Sequence, residues 1–335
     1  MRAILGYGTS YLRYPPTLRG GEKGMPMSSH IDQPAHLTIP ELAGRKASAG
    51  RGAPLTMITA YDVVSARLAD RAGAELLLVG DSVGMVVLGR ENTLTVTVEE
   101  ILHHARAVTA AKPRAVVVGD MPFLSYHISI SEAIRNAGLL ISQGGCQAVK
   151  VEGGRRCLRI IERLLCADIP VMGHLGLTPQ SVHRMGGFRV QARQAEAAEA
   201  LMEEACLLAG AGVFAIVLEG IPAEVAQVVT EAIAVPTIGI GAGPHCDGQV
   251  LVWHDLLGLT EGLAPKFVRR YADVGSVIVE ALARFVGDVR AGTFPSSGES
   301  YHASPAVTAA VRARSNHADP TKAKIMAQMP EETGS

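Results

Sequence analysis

The chain has 335 residues, 48% of them hydrophobic and 19% charged, with 31 Lys+Arg against 32 Asp+Glu for a net charge of −1. That length buries a large core, either as two domains or as one α/β barrel of about 250 residues. There is no basic excess for nucleic acid and no apolar run of roughly 18 residues for a membrane span, and the five cysteines form no C-x-x-C pair, which fits a reduced, cytoplasmic protein.

The first 23 residues carry Arg2, Arg13 and Arg19 against a single acid, Glu22, without the apolar core of a secretory signal. A weak organelle transit peptide is one reading. A start placed too far upstream, with Met25 and Met27 close behind, is the other. Residues 1–50 are rich in Pro, Gly and Ser, so we expect a mostly disordered extension with one short helix near 39–45.

From Pro54 the texture changes. Leu55-Thr56-Met57-Ile58-Thr59-Ala60 reads as a strand, followed by a helix over 63–72 with Asp62 as N-cap. Leu76-Leu77-Leu78-Val79 is a buried strand ending in Gly80-Asp81-Ser82, and Thr97 caps a helix over 98–111. Ala115-Val116-Val117-Val118 runs into Gly119-Asp120, then a helix over 131–143. Ala148 to Val151 ends in Glu152-Gly153-Gly154, then a helix over 155–166. Pro170-Val171-Met172-Gly173-His174-Leu175-Gly176 precedes a long loop and an alanine-rich helix to Ala209. Phe214 to Glu219 precedes a helix over 223–233. Pro236 to Gly243 is a seventh run, and Val250-Leu251-Val252-Trp253 an eighth. Helical sequence resumes over 266–291, and after Pro295 the tail turns Ser/Ala/Pro-rich, with room for one short helix.

Short apolar runs alternating with helices give βαβ units and a parallel sheet, and eight units give a (β/α)8 TIM barrel. An open doubly wound sheet is the alternative. The expected organisation is an extension over 1–50, one catalytic barrel over 51–295 and a disordered tail over 296–335. A barrel gathers functional groups at the C-terminal ends of its strands, where Asp81, Asp120, Glu152, His174 and Glu219 fall.

Lys150 and Glu152, two apart in one strand, point the same way. A structural ion pair would explain them alone. Asp81, Asp120 and Glu152 end three consecutive strands, however, and three converging carboxylates repel unless a cation joins them. Oxygen ligands without Cys or His suit Mg²⁺. Individually each acid could instead cap a helix or pair with an arginine. Glu219 could be a general base or a salt-bridged glutamate. His174 is as readily structural as substrate-binding. The cluster Gly239-Ile240-Gly241-Ala242-Gly243 suits a tight turn as well as a ligand.

Val79-Gly80-Asp81-Ser82, Gly119-Asp120-Met121-Pro122-Phe123, Val149-Lys150-Val151-Glu152-Gly153-Gly154, Gly173-His174-Leu175-Gly176-Leu177-Thr178-Pro179-Gln180-Ser181 and Ile238-Gly239-Ile240-Gly241-Ala242-Gly243 together resemble the ketopantoate hydroxymethyltransferase family. Thr59-Ala60-Tyr61-Asp62 and Pro265-Lys266-Phe267 agree, and the likeness runs in order over residues 55–295. The resemblance implies a Mg²⁺-dependent barrel that assembles as a homodecamer. It implies transfer of a one-carbon unit from 5,10-methylenetetrahydrofolate to 3-methyl-2-oxobutanoate through a Mg²⁺-stabilised enolate. It further implies Asp81, Asp120 and Glu152 as the metal site, Asp81, Ser82, Asp120 and Lys150 as oxo-acid contacts, and Glu219 as proton acceptor. Gly220 stands where the family often has a cysteine.

The residues accord with that chemistry. A 2-oxo acid can chelate a metal through its carboxylate and keto oxygens, and Lys150 would offset its charge. Three rivals remain open at this point. They are a Mg²⁺-dependent 2-oxo acid lyase or phosphoenolpyruvate mutase-type barrel, a Schiff-base aldolase using Lys150, and a barrel that binds without catalysis.

Overall fold

Eight parallel strands close into a barrel in the computed structural model, which describes residues 37–50, 52–262 and 265–315. The strands are β1 (Leu55–Thr59), β2 (Leu76–Val79), β3 (Val116–Asp120), β4 (Ala148–Glu152), β5 (Val171–Gly176), β6 (Ala215–Glu219), β7 (Thr237–Ile240) and β8 (Gly248–Leu251). They neighbour one another in chain order, so the closed barrel stands and the open sheet does not. Helices start where short polar side chains satisfy the free N–H groups of a first turn. Asp62 accepts from Ser65 N, Thr97 from Glu100 N and Ser129 from Glu132 N. The helix Val98–Thr109 then buries Ile101, Leu102, Ala105 and Val108, a stripe at helical spacing.

The parity of the strands positions the site. Val116 and Val118 on β3, Ala148 on β4, Met172 on β5 and Ala215 and Val217 on β6 join one buried cluster with Leu55, Met57, Leu76, Leu78, Ile238 and Val250. One step of two residues further along, the same inward face carries Asp120 on β3, Lys150 and Glu152 on β4, His174 on β5 and Glu219 on β6. Register aligns them: Asp120 pairs with Lys150, Glu152 with His174 and Gly176 with Glu219.

The opposite end of the barrel is closed by residues expected to lie in the N-terminal extension. The helix Ile39–Gly44, capped by Thr38, puts Leu42 into the core at 0% exposure. Lys46 pairs with Asp247 just before β8 at 2.6 Å. The remainder of the expected N-terminal extension, residues 1–36, lies outside the described residues, as does the tail beyond 315.

Two elements differ from the sequence reading. The eighth strand lies two residues earlier than expected, because Gly248 approaches β1 so closely that a Cβ there would stand 2.6 Å from the Leu55 carbonyl oxygen. An isolated glycine next to Asp247 disguised the strand. The helix expected over 266–291 starts only at Val274. Before it, Tyr271 N donates to Leu256 O and Val274 N to Leu257 O, so this backbone satisfies itself without a helix.

The chain divides into two compact units at Val250/Leu251. The first holds the barrel strands up to Val250. The second contains the helices Trp253–Leu256, Val274–Ala291 and Pro305–Ser315, the last within the tail expected to be disordered. No described helix is long and apolar enough to cross a membrane.

Candidate active site

Lys150 is the hub at the C-terminal end of the barrel. It is 4% exposed, and its Nζ lies 2.9 Å from Asp120 Oδ1 and 3.4 Å from Glu152 Oε1. Asp81 follows β2, and its backbone N–H donates to Asp120 Oδ2 at 3.0 Å. His174 sits between two acids, with Nδ1 3.2 Å from Glu152 Oε1 and Nε2 3.2 Å from Glu219 Oε2. Five of the six expected site residues therefore belong to one network, with Asp81, Asp120, Lys150 and Glu152 buried and Glu219 half-buried at its edge. Ser82 is beside it, half-buried, with Oγ 2.8 Å from Tyr61 Oη.

The electrostatics are unbalanced. Four carboxylates, Asp81, Asp120, Glu152 and Glu219, face two groups that can carry positive charge, Lys150 and His174. Burial, then the neighbouring Asp120 and Glu152 charges, push Asp81 well above the usual carboxylate range. Burial raises Asp120 too, with Lys150 opposing it. Burial also acts upward on Glu152, but Lys150 and His174 outweigh it and bring it down to about 2. Lys150 is raised despite its burial, because Asp120, Glu152 and Asp81 surround it. Burial and Lys150 act downward on His174, yet its carboxylate neighbours lift it to about 9. Lys150 is thus held as an ammonium ion, and its Nζ also lies 3.3 Å from His174 Nδ1.

These residues fit a divalent cation of the Mg²⁺ type. The donors are carboxylate oxygens, and surplus negative charge is buried among them. Asp120 Oδ1 and His174 Nε2 are buried without an aligned hydrogen bond among the described residues, although charged atoms lie 2.9 and 3.2 Å away. Among the described residues, no group of three or more His, Cys, Asp or Glu side chains is arranged as it stands to hold a metal ion. Glu152 is already held by Lys150, His174 and the backbone N–H of Gln180, so a metal here would draw mainly on Asp81 and Asp120. Mg²⁺ tolerates this, since it retains waters and takes one or two carboxylates.

Sequence reasoning left His174 open and missed Gln180 and Tyr126. Parity was the available signal for His174, which lies two residues beyond the inward-facing Met172. Gln180 and Tyr126 come from loops and carry no periodic signal. The glycines after β7 serve the turn: Gly241 and Gly243 have φ of +62° and +78°, and a Cβ on Gly243 would stand 2.3 Å from Ala223 Cβ. His104 is occupied structurally, with Nδ1 2.7 Å from Tyr61 O.

Residues 36–297 match the family model described as ketopantoate hydroxymethyltransferase. The chain is 53% identical over 271 residues to 3-methyl-2-oxobutanoate hydroxymethyltransferase of Pelobacter propionicus, covering 81% of this chain and 99% of that one. It is 52% identical over 269 residues to the protein of the same name from Moorella thermoacetica, covering 80% and 99%. Among solved structures it is similar to 2,3-dimethylmalate lyase, described as a PEP mutase/isocitrate lyase superfamily member. That match has a TM-score of 0.51 and 17% identity over 76% of this chain and 89% of the other. It is also similar to phosphonopyruvate hydrolase, with a TM-score of 0.51 and 13% identity over 84% and 99%. At such identities the structural likeness speaks to the barrel alone.

Proposed function

The chain belongs to the ketopantoate hydroxymethyltransferase family, and from that premise we infer that it makes 2-dehydropantoate from 3-methyl-2-oxobutanoate, with 5,10-methylenetetrahydrofolate as one-carbon donor. The observation that carries the reading is the inward row of Asp120, Lys150, Glu152, His174 and Glu219, joined by Asp81, at the end of the barrel where such enzymes do their chemistry. Asp81 and Asp120, with Glu152 beside them, would hold Mg²⁺. When bound, the ion supplies a Lewis-acid charge that polarises the keto group.

The protein's own groups do the rest. The Lys150 ammonium and the Ser82 hydroxyl orient the oxo acid, and Lys150 offsets its carboxylate charge. Glu219 takes the proton from C3, the only carbon-bound hydrogen next to the ketone. Water opens the donor's methylene bridge, its two protons passing to the two folate nitrogens as tetrahydrofolate leaves. Carbon C3 attacks the released formaldehyde-level carbon, whose oxygen takes the proton held by Glu219 and becomes the hydroxyl. His174, with Nε2 3.2 Å from Glu219 Oε2 and Nδ1 3.2 Å from Glu152 Oε1, stands where it can aim the base. Assembly as a homodecamer and a cytoplasmic location belong to the same reading.

The rivals are weaker. Lys150 as an ammonium ion is a poor Schiff-base nucleophile. The lyase-like barrels share the fold at under a fifth of identical positions, whereas the hydroxymethyltransferases share half. Mass spectrometry of the product decides. We expect 2-dehydropantoate only with oxo acid, methylenetetrahydrofolate and Mg²⁺ together. Cleavage of small 2-oxo acids without folate would support the lyase instead. Activity resistant to EDTA, with a borohydride-trapped adduct on Lys150, would support the aldolase. Mg²⁺-dependent oxo-acid binding without any turnover would support a non-catalytic barrel.

A further inference from the structure

Gln180 is the most connected uncharged side chain in the site, and the reaction as derived gives it no part. It lies in the turn Pro179–Ser181 after β5 and is 5% exposed. Its Nε2 donates to Asp81 Oδ2 and to the carbonyl oxygen of Met121, both at 2.9 Å. Its Oε1 accepts from Tyr126 Oη at 2.7 Å, and its backbone N–H donates to Glu152 Oε2 at 3.0 Å. Tyr126 is 0% exposed, and its hydroxyl also lies 3.1 Å from Glu152 O. Two acceptors face the amide nitrogen and a hydroxyl faces the amide oxygen, so the partners themselves fix the orientation of the amide.

We infer that Gln180 is a positioning residue for the carboxylate site, its amide, oriented by Tyr126, holding Asp81 while its backbone N–H holds Glu152. The chemistry of the position explains the residue type. A lysine would donate to Asp81 but cancel the negative charge that attracts a divalent cation. A glutamate would add a further acid with nothing to donate. A leucine would fill the volume and leave a buried carboxylate oxygen without its donor, which costs more than the bond itself contributes. An amide donates to Asp81 and leaves the charge intact. By its four contacts Gln180 also joins the ends of β2, β3, β4 and β5, so one residue of a loop sets the separation of two acids on different strands.

The inference rests on the reading that Asp81, Asp120 and Glu152 receive Mg²⁺ and the oxo acid. Isothermal titration of the full chain with Mg²⁺ and 3-methyl-2-oxobutanoate tests it, alongside thermal unfolding of the metal-free proteins. We expect Gln180→Leu to weaken the apparent Mg²⁺ affinity about 10- to 100-fold, the usual effect of removing a group that orients a metal ligand. We expect a cooperative unfolding transition to persist and oxo-acid binding to return as Mg²⁺ is raised. Tyr126→Phe should shift the affinity in the same direction by less, and it decides the matter if Gln180→Leu fails to fold. Wild-type affinity in a folded Gln180→Leu protein would overturn the inference, and so would a deficit that excess Mg²⁺ does not restore. No Mg²⁺-dependent binding by the wild type would overturn the reading beneath it.

Discussion

Among the described residues of the barrel unit two lysine–aspartate pairs are buried, one at each end, and they differ in what surrounds them. Lys46 and Asp247 meet at 2.6 Å at the N-terminal ends of the strands, with side chains 3% and 0% exposed. Asp247 also accepts from the Thr237 backbone N–H at 2.9 Å, and Lys46 donates to Val235 O at 3.1 Å. One cation meets one anion there, and hydrogen bonds within the fold complete the group. Lys150 and Asp120, at the other end, are nearly as buried, but Lys150 also faces Glu152 and Asp81. The first pair is charge-balanced and closes the barrel. The second belongs to a cluster with surplus acid and unaligned polar atoms, the condition of a site that takes a charged ligand.

Removing one acid from each end separates the two pairs. Asp120→Ala should have the largest effect, abolishing Mg²⁺-dependent heat of oxo-acid binding in a calorimeter. Unchanged binding would show that Asp120 is structural, like its counterpart. Asp247→Ala strands the Lys46 charge and should cost about 3–5 kcal/mol in a denaturant titration. Its folded fraction should still bind Mg²⁺ and the oxo acid. Lost binding in the folded protein would erase the distinction between the two ends.

A smaller effect separates His174 from Lys46. In the folded protein His174 is raised from 6.5 to about 9, so the stability it contributes is complete below about 6.5 and disappears as pH rises through about 9. The melting temperature of the metal-free wild type should therefore fall over that interval more than that of His174→Gln. Parallel curves would contradict the assignment. The smallest effect is expected from deleting residues 1–35, which precede the family match, with turnover unchanged. Deletion through residue 45 removes Leu42 from the core and should cost at least the roughly 2–5 kcal/mol of a large-to-small core change.

The functional end of the barrel was more legible in sequence than the closing end. Lys150 and Glu152 share a face because they are two apart in a strand, and Asp81, Asp120 and Glu219 end apolar runs. Local spacing was enough for these. The Lys46–Asp247 pair joins residues 201 positions apart, and nothing local announces it. Gln180 was hidden for a similar reason: its partners Asp81, Met121 and Tyr126 come from two earlier loops, and a glutamine in a turn has no periodicity to betray it. His174 lay between these cases. Its parity was readable, but its role depended on Glu152 and Glu219 meeting it from both neighbouring strands.

Glu219 is the proposed base that takes the C3 proton of a 2-oxo acid held at the strand ends. Proton NMR of 3-methyl-2-oxobutanoate in D₂O, with protein and Mg²⁺ but no folate, tests this role most directly. We expect the C3 proton signal to fade with the wild-type protein and to persist with Glu219→Gln. Equal loss of the signal with both proteins would contradict it, because some other group would then be the base.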